Sequence, residues 1–119
     1  MSDVLDLVVE PGLPFYKTFQ YATNDGVTNT PVPLSNAKLT MEVRHSPKNP
    51  TVLFKATEED YLVVSDSING EFSLNIPEEV VNSFKFNHAT YDVVIQLDNQ
   101  IPDKLIGGLF TVKPLTTRG

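Results

Sequence analysis

Alternation of apolar and polar residues is the feature that most constrains how this chain can fold. Residues 38–44 alternate without a break and place Leu39, Met41 and Val43 on one side of an extended chain. Because successive side chains of a β-strand point to opposite faces, this pattern predicts a strand with one buried face. The same period predicts strands over residues 71–76 and 90–97, with the inward positions Phe72, Leu74, Ile76, Tyr91, Val93, Ile95 and Leu97.

Turn signals divide the rest of the chain into further short segments. We predict weaker strands over residues 4–9, 15–22, 52–56, 61–64 and 104–113. Gly107-Gly108 inside the last segment predicts a bulge or a close backbone approach. Seven or eight short strands at a spacing of about ten residues are typical of a sandwich or a barrel. Residues 77–84 predict one helical turn, because Pro77 suits the first helical position and Glu78 and Glu79 suit the positive end of a helix dipole.

Composition narrows the possible partners and the domain count. The 119 residues suffice for one core, so we expect a single domain over residues 1–113 and a flexible or partner-reaching tail over 114–119. The net charge of −6 and the absence of a basic stripe argue against nucleic acid. Neither a signal-peptide pattern nor an apolar run of about 18 residues is present, so we expect no export signal and no membrane span. The chain also lacks cysteine, which excludes disulfides and thiolate chemistry.

Residues with catalytic or metal-binding potential are few and scattered. His45 and His88 have no second ligand at a metal-binding spacing. The run Glu58-Glu59-Asp60 and the pair Asp98 and Asp103 could ligate calcium, although solvated turns explain such residues more simply. No serine lies in a nucleophile elbow, and no glycine-rich phosphate loop is found. We therefore predict a protein that is not an enzyme and needs no cofactor or metal.

Four aromatic residues cluster on the second predicted strand. Tyr16 should point away from Phe15, Phe19 and Tyr21, because side chains alternate along a strand. An outward tyrosine can stack on a sugar, anchor a neighbouring subunit or pack across strands of its own sheet. The polar stretch of residues 23–33 is the longest predicted loop and the expected exposed tip.

The order of these signals resembles a family of small phage proteins, the β-sandwich domain of upper baseplate and related tail or fibre-attachment proteins of tailed bacteriophages. The resemblance spans nearly the whole chain, although Leu13 and Pro14 interrupt the family's usual pattern after Gly12. It implies an immunoglobulin-like antiparallel sandwich and a virion protein that forms rings or trimers and attaches other tail components. The residues that carry it are Leu34, Ala37, Met41, Val43, Arg44, Gly70, Phe72, Leu74, Ile76, Pro77, Tyr91, Asp92, Val93, Ile95, Leu97, Gly108, Phe110 and Val112.

These observations lead to one functional hypothesis and two alternatives. We expect a structural adaptor of the tail, baseplate or neck, assembled in the host cytoplasm into the virion, that contacts other virion proteins and is oligomeric in the particle. A capsid decoration protein and a carbohydrate-binding or adhesin module are the alternatives. The expected contact residues are Tyr16, Thr18, Gln20, Asn24, Asp25, Val32, Leu115 and Arg118.

Overall fold

Short strands make up most of the fold, and a single helical segment interrupts them. The computed structural model describes residues 3–24, 26–97 and 100–113. Within these ranges lie eleven strands and one helix. Their bounds are β1 Asp3–Val4, β2 Leu7–Val9, β3 Phe15–Gln20, β4 Ala22–Asn24, β5 Asn29–Pro31, β6 Lys38–Arg44, β7 Phe54–Thr57, β8 Leu62–Asp66, β9 Glu71–Ile76, α1 Glu78–Ser83, β10 His88–Gln96 and β11 Asp103–Val112.

Two sheets form an immunoglobulin-like sandwich. The larger sheet has the order β1-β11-β10-β6-β7, with β2 also on β11, and the smaller sheet has the order β3-β9-β8. Strands β6, β10 and β11 thus take the places of the C, F and G strands of that fold, and β3, β9 and β8 those of B, E and D. The predicted all-β, immunoglobulin-like class is confirmed. The described ranges contain eleven strands, more than the predicted seven or eight, because two predicted segments are each split in two and the predicted loop contains the additional strand β5.

The first two strands join the larger sheet rather than the smaller one. Both run parallel to β11, with Asp3 opposite Ile106 and Leu7 opposite Phe110. The predicted antiparallel sandwich thus includes two short parallel pairings at one edge of the larger sheet. In constant-type immunoglobulin domains the first strand lies beside strand B. Here that place is unfilled among the described residues, so β3 is an edge strand.

The core lies between the two sheets and follows the alternation. Leu39, Met41 and Val43 are fully buried, as are Phe72 and Leu74 across the sandwich. The predicted inward faces of these strands are confirmed. Strand β10 begins two residues earlier than predicted, and ends before Leu97.

Three predicted segments differ from the structure. The strand expected over residues 15–22 ends at Gln20, and Ala22 begins β4, which pairs with β5 in a separate two-stranded sheet. The strand expected over residues 4–9 is split between Val4 and Leu7. The Leu5 N–H still donates to the Gly107 carbonyl of β11, but the Leu5 carbonyl accepts the Tyr91 hydroxyl, and an Asp6 carboxylate oxygen accepts the Leu109 N–H. The loop expected over residues 23–33 contains the β4–β5 hairpin.

The single helix carries the chain from the smaller sheet to the larger one. Helix α1 begins after Pro77, which is its N-cap, and ends before Phe84. The predicted helical turn is confirmed, with Pro77 one position earlier than expected. Val81 is fully buried and ties the helix to the core. No helix of the described ranges is long and apolar enough to cross a bilayer.

Candidate interaction surface on strand β3

Strand β3 has one edge paired with β9 and one edge that is open, in that none of the described strands pairs with it. Its residues pair with β9 from Phe15 opposite Ile76 to Gln20 opposite Glu71. Just beyond the strand the Tyr21 N–H donates to the Gly70 carbonyl at 2.8 Å, in the same register. Because hydrogen-bonded and non-bonded pairs alternate in an antiparallel ladder, the backbone groups of the even-numbered residues face away from β9. The open edge therefore presents the N–H and C=O groups of Tyr16, Thr18 and Gln20.

The same three residues also expose their side chains on the outer face of the sheet. Tyr16 is 64% exposed, the most of any aromatic residue in the described ranges. The Thr18 hydroxyl donates to the Tyr16 hydroxyl at 3.3 Å, and the Gln20 amide donates to the Asn69 carbonyl at 2.9 Å. The structure thus brings Tyr16, Thr18 and Gln20 together on one neutral polar surface, with the outward Tyr16 that alternation predicts.

Lys17 is the one charged residue of this strand. Alternation places it on the inward side with Phe15 and Phe19, opposite the buried Leu74, yet it is exposed. A lysine at such a position keeps its ammonium in water by reaching around the open edge. Inward-pointing charges on edge strands disfavour pairing with a copy of the same strand. A partner strand with a carboxylate opposite Lys17 would escape this penalty.

Two other predicted contact residues, Val32 and Asn24, lie at the β4–β5 hairpin. Val32 is half-buried, and its N–H donates to the Tyr21 carbonyl at 2.9 Å, so it closes the base of the β4–β5 hairpin. Asn24 ends β4, where it is paired with Asn29. The predicted contacts Asp25, Leu115 and Arg118, and the predicted tail over residues 114–119, lie outside the described residues.

Among the described residues, those considered for catalysis and calcium binding do not come together in one site. His88 begins β10, whereas Asp103 is opposite Ile95 near the far end of the same strand. These positions are seven residues apart along β10, or roughly 23 Å. No group of three His, Asp or Glu side chains in the described ranges is placed to hold a metal ion. Asp98 lies outside those ranges.

Glu58 lies in the turn after β7 and accepts a hydrogen bond from the backbone of β6. Thr57 and Asp60 exchange two backbone hydrogen bonds of 2.9 Å around Glu58 and Glu59. One Glu58 carboxylate oxygen accepts the Leu39 N–H at 2.9 Å. This carboxylate therefore caps a backbone donor at the start of β6.

Sequence reasoning missed a cluster of aromatic rings at one end of the sandwich. Phe84 lies 5.3 Å from both Phe54 and Phe86, measured between ring centroids, and 5.8 Å from Phe110. Phe54 is also 5.3 Å from Tyr61. The alternating Phe84-Lys85-Phe86 directly after the helix is the sequence signal that could have indicated it.

Comparisons with known proteins assign no family to this chain. No protein-family model matches the chain, and no curated protein matches it. Among solved structures, the extracellular domains 3–5 of Drosophila OTK are similar over 92% of this chain, at 19% identity and a TM-score of 0.41. This chain spans 33% of the length of that one.

Proposed function

We propose that this protein is a non-enzymatic structural adaptor of a tailed-phage particle, placed in the tail, baseplate or neck. The open edge of β3 is the observation that carries the adaptor part of the proposal. The phage setting is supported by the resemblance of the core and turn residues to small tail-protein sandwiches. In the particle the adaptor contacts other virion proteins and is oligomeric.

The edge of β3 suits addition of an extended partner strand. The outward N–H and C=O groups of Tyr16, Thr18 and Gln20 can hydrogen-bond to an incoming strand. Such main-chain hydrogen bonds provide the affinity when a peptide adds to the edge of a sheet. Lys17 supplies selectivity, because it favours an acidic residue in the incoming strand and disfavours a second β3. The exposed Tyr16 adds a large contact area at low cost in side-chain entropy.

The test is capture of candidate tail and capsid proteins from the same genome, followed by mass determination by light scattering. We expect a complex with a tail component. Thr18→Pro should abolish it, because proline removes an outward N–H and is tolerated at a position that does not bond to β9. Thr18→Ala keeps that N–H and should bind as wild type. Wild-type binding by Thr18→Pro would contradict use of this edge, and capture by a capsid protein alone would favour the decoration protein.

The exposed Tyr16 also supports a second candidate, a carbohydrate-binding module. Aromatic rings on a flat sheet face stack on sugars. Glycan-array binding that is lost in Tyr16→Ala but retained in Thr18→Pro would favour this function over the adaptor. A protein that binds neither virion proteins nor glycans would contradict both.

A further inference from the structure

A second surface lies at the end of the sandwich that carries the aromatic cluster. A groove of about 570 Å³ opens between the start of β7 and the segment that follows α1. Its apolar lining includes Leu53, Tyr61, Val80, Phe84 and Phe86, all half-buried and all packed against the core. Preformed binding sites are typically lined by apolar side chains that pack against the core and remain partly exposed to the groove.

Ring packing holds the floor of this groove in place. Phe84 lies edge-on to the buried Phe54 at 5.3 Å and to the buried Phe110 at 5.8 Å. Phe86 lies 6.1 Å from Phe110. Phe54 and Phe110 belong to the hydrophobic core. The rings of Phe84 and Phe86 therefore cannot move to fill the groove without disturbing the packing of the core. An incoming side chain therefore meets a rigid aromatic surface and does not have to order it.

The charged residues of the groove are both lysines. Lys55 and Lys85 line it and are exposed, in a chain whose net charge is −6. Neither forms an ion pair with a described residue. Glu42 is opposite Lys55 in the β6–β7 ladder, but its carboxylate binds Arg44. The two charged side chains that line the groove are thus opposite in sign to the net charge of the chain, and they favour acidic ligands.

The backbone of β7 offers a further contact. Both backbone groups of Thr57 bond to Asp60, on the side away from β6. By the alternation of antiparallel pairs, the N–H and C=O of Lys55 face the same open side. A peptide in extended conformation can therefore hydrogen-bond to this edge while one of its side chains enters the groove.

We propose that this groove binds an extended acidic peptide segment of a partner protein, with one aromatic side chain on the floor formed by Phe84 and Phe86. Carboxylates beside that side chain meet Lys55 and Lys85. This surface is separate from the β3 edge and does not depend on the proposed phage setting.

The test uses a fluorescein-labelled peptide with one phenylalanine flanked by two aspartates on each side. Fluorescence anisotropy in about 50 mM salt keeps the charge interaction measurable. We expect saturable binding, with amide shifts in protein NMR spectra confined to residues 53–55 and 84–86. Replacing the peptide's phenylalanine by alanine should weaken binding about tenfold, because it removes the anchor. This arm requires no change to the protein.

Charge reversal on the protein gives the second arm. Lys55→Glu with Lys85→Glu should weaken the peptide about tenfold, whereas the matched pair Lys48→Glu with Lys104→Glu, exposed lysines outside the groove, should weaken it less than about twofold. Equal weakening by both pairs, or equal binding of the alanine peptide, would overturn the proposal. Amide shifts at Tyr16, Thr18 and Gln20 in place of the groove would also overturn it and leave the β3 proposal standing.

Discussion

At the residue scale, Gly70 is the glycine whose surroundings leave the least room for a side chain. Its φ is 70°, and a Cβ there would meet the Tyr21 carbonyl oxygen and lie 2.7 Å from the Val32 carbonyl oxygen. These atoms form the base of the β4–β5 hairpin, so they cannot move without breaking its hydrogen bonds. We expect Gly70→Ala to lower the free energy of unfolding by about 2 kcal/mol or more.

Urea denaturation measures this loss, and Gly12→Ala is the matched control. Gly12 also has a positive φ, of 92°, but nothing lies within 4 Å of its added Cβ. The control should therefore cost about 1 kcal/mol, from backbone conformation alone. Equal losses at the two positions would contradict the role of the close approach at Gly70.

The buried Tyr91 should make the stability of the protein depend on pH in the alkaline range. Burial raises the pKa of its hydroxyl well above the ordinary value, and the charge of Asp6 raises it further. The folded state thus holds this proton more tightly than the unfolded state. Its contribution to stability is complete below about pH 10, where a tyrosine of the unfolded chain titrates, and is lost as the pH rises above that value.

Tyr91→Phe tests this linkage. The substitution removes the 2.5 Å hydrogen bond to the Leu5 carbonyl and should cost about 1 kcal/mol near neutral pH. It should also flatten the fall in stability above about pH 10. Urea denaturation at a series of pH values measures both effects, with Tyr16→Phe as the control for an exposed hydroxyl. An unchanged alkaline slope in Tyr91→Phe would contradict the assignment.

At the element scale, strand β3 combines an open edge with a single protecting charge. Lys17 lies on the inward side of this edge and opposes pairing with a second β3. We expect Lys17→Val to make the protein associate as its concentration rises, because the substitution removes that charge and adds a β-branched residue. Sedimentation velocity over a concentration series measures the effect. Lys48→Val, on a loop, should stay unassociated, and association of both variants would point to lost charge rather than to the edge.

At the scale of the whole molecule, the protein alone should be monomeric. It measures 49 × 29 × 29 Å, carries a net charge of −6, and keeps a charge on the β3 edge. The open edge of β7 belongs to a strand of four residues. We expect light scattering to give the mass of one chain, 13.2 kDa, with oligomers forming only on a partner. A stable ring or trimer of the purified protein would contradict this expectation.

The sequence by itself determined the features that depend on neighbouring residues: which face of a strand is buried, where the helix begins and which way Tyr16 points. The alternation at Leu39, Met41 and Val43 predicts a buried face because the side chains of an extended chain alternate, whatever the rest of the fold does. Pro77 and the two glutamates after it predict the helical turn for an equally local reason. The outward direction of Tyr16 is predicted in the same way.

Only the tertiary structure decided which edges pair and which stay open. Residues 4–9 have the pattern of a strand, but nothing local distinguishes pairing with β11 from pairing with β3. Contacts between distant residues make that choice, among them the Tyr91 hydroxyl on the Leu5 carbonyl and the Leu109 N–H on Asp6. Because the N-terminal strands go to β11, the edge of β3 remains available. The aromatic groove depends in the same way on long-range packing, since it forms where Phe84 meets Phe54 and Phe110.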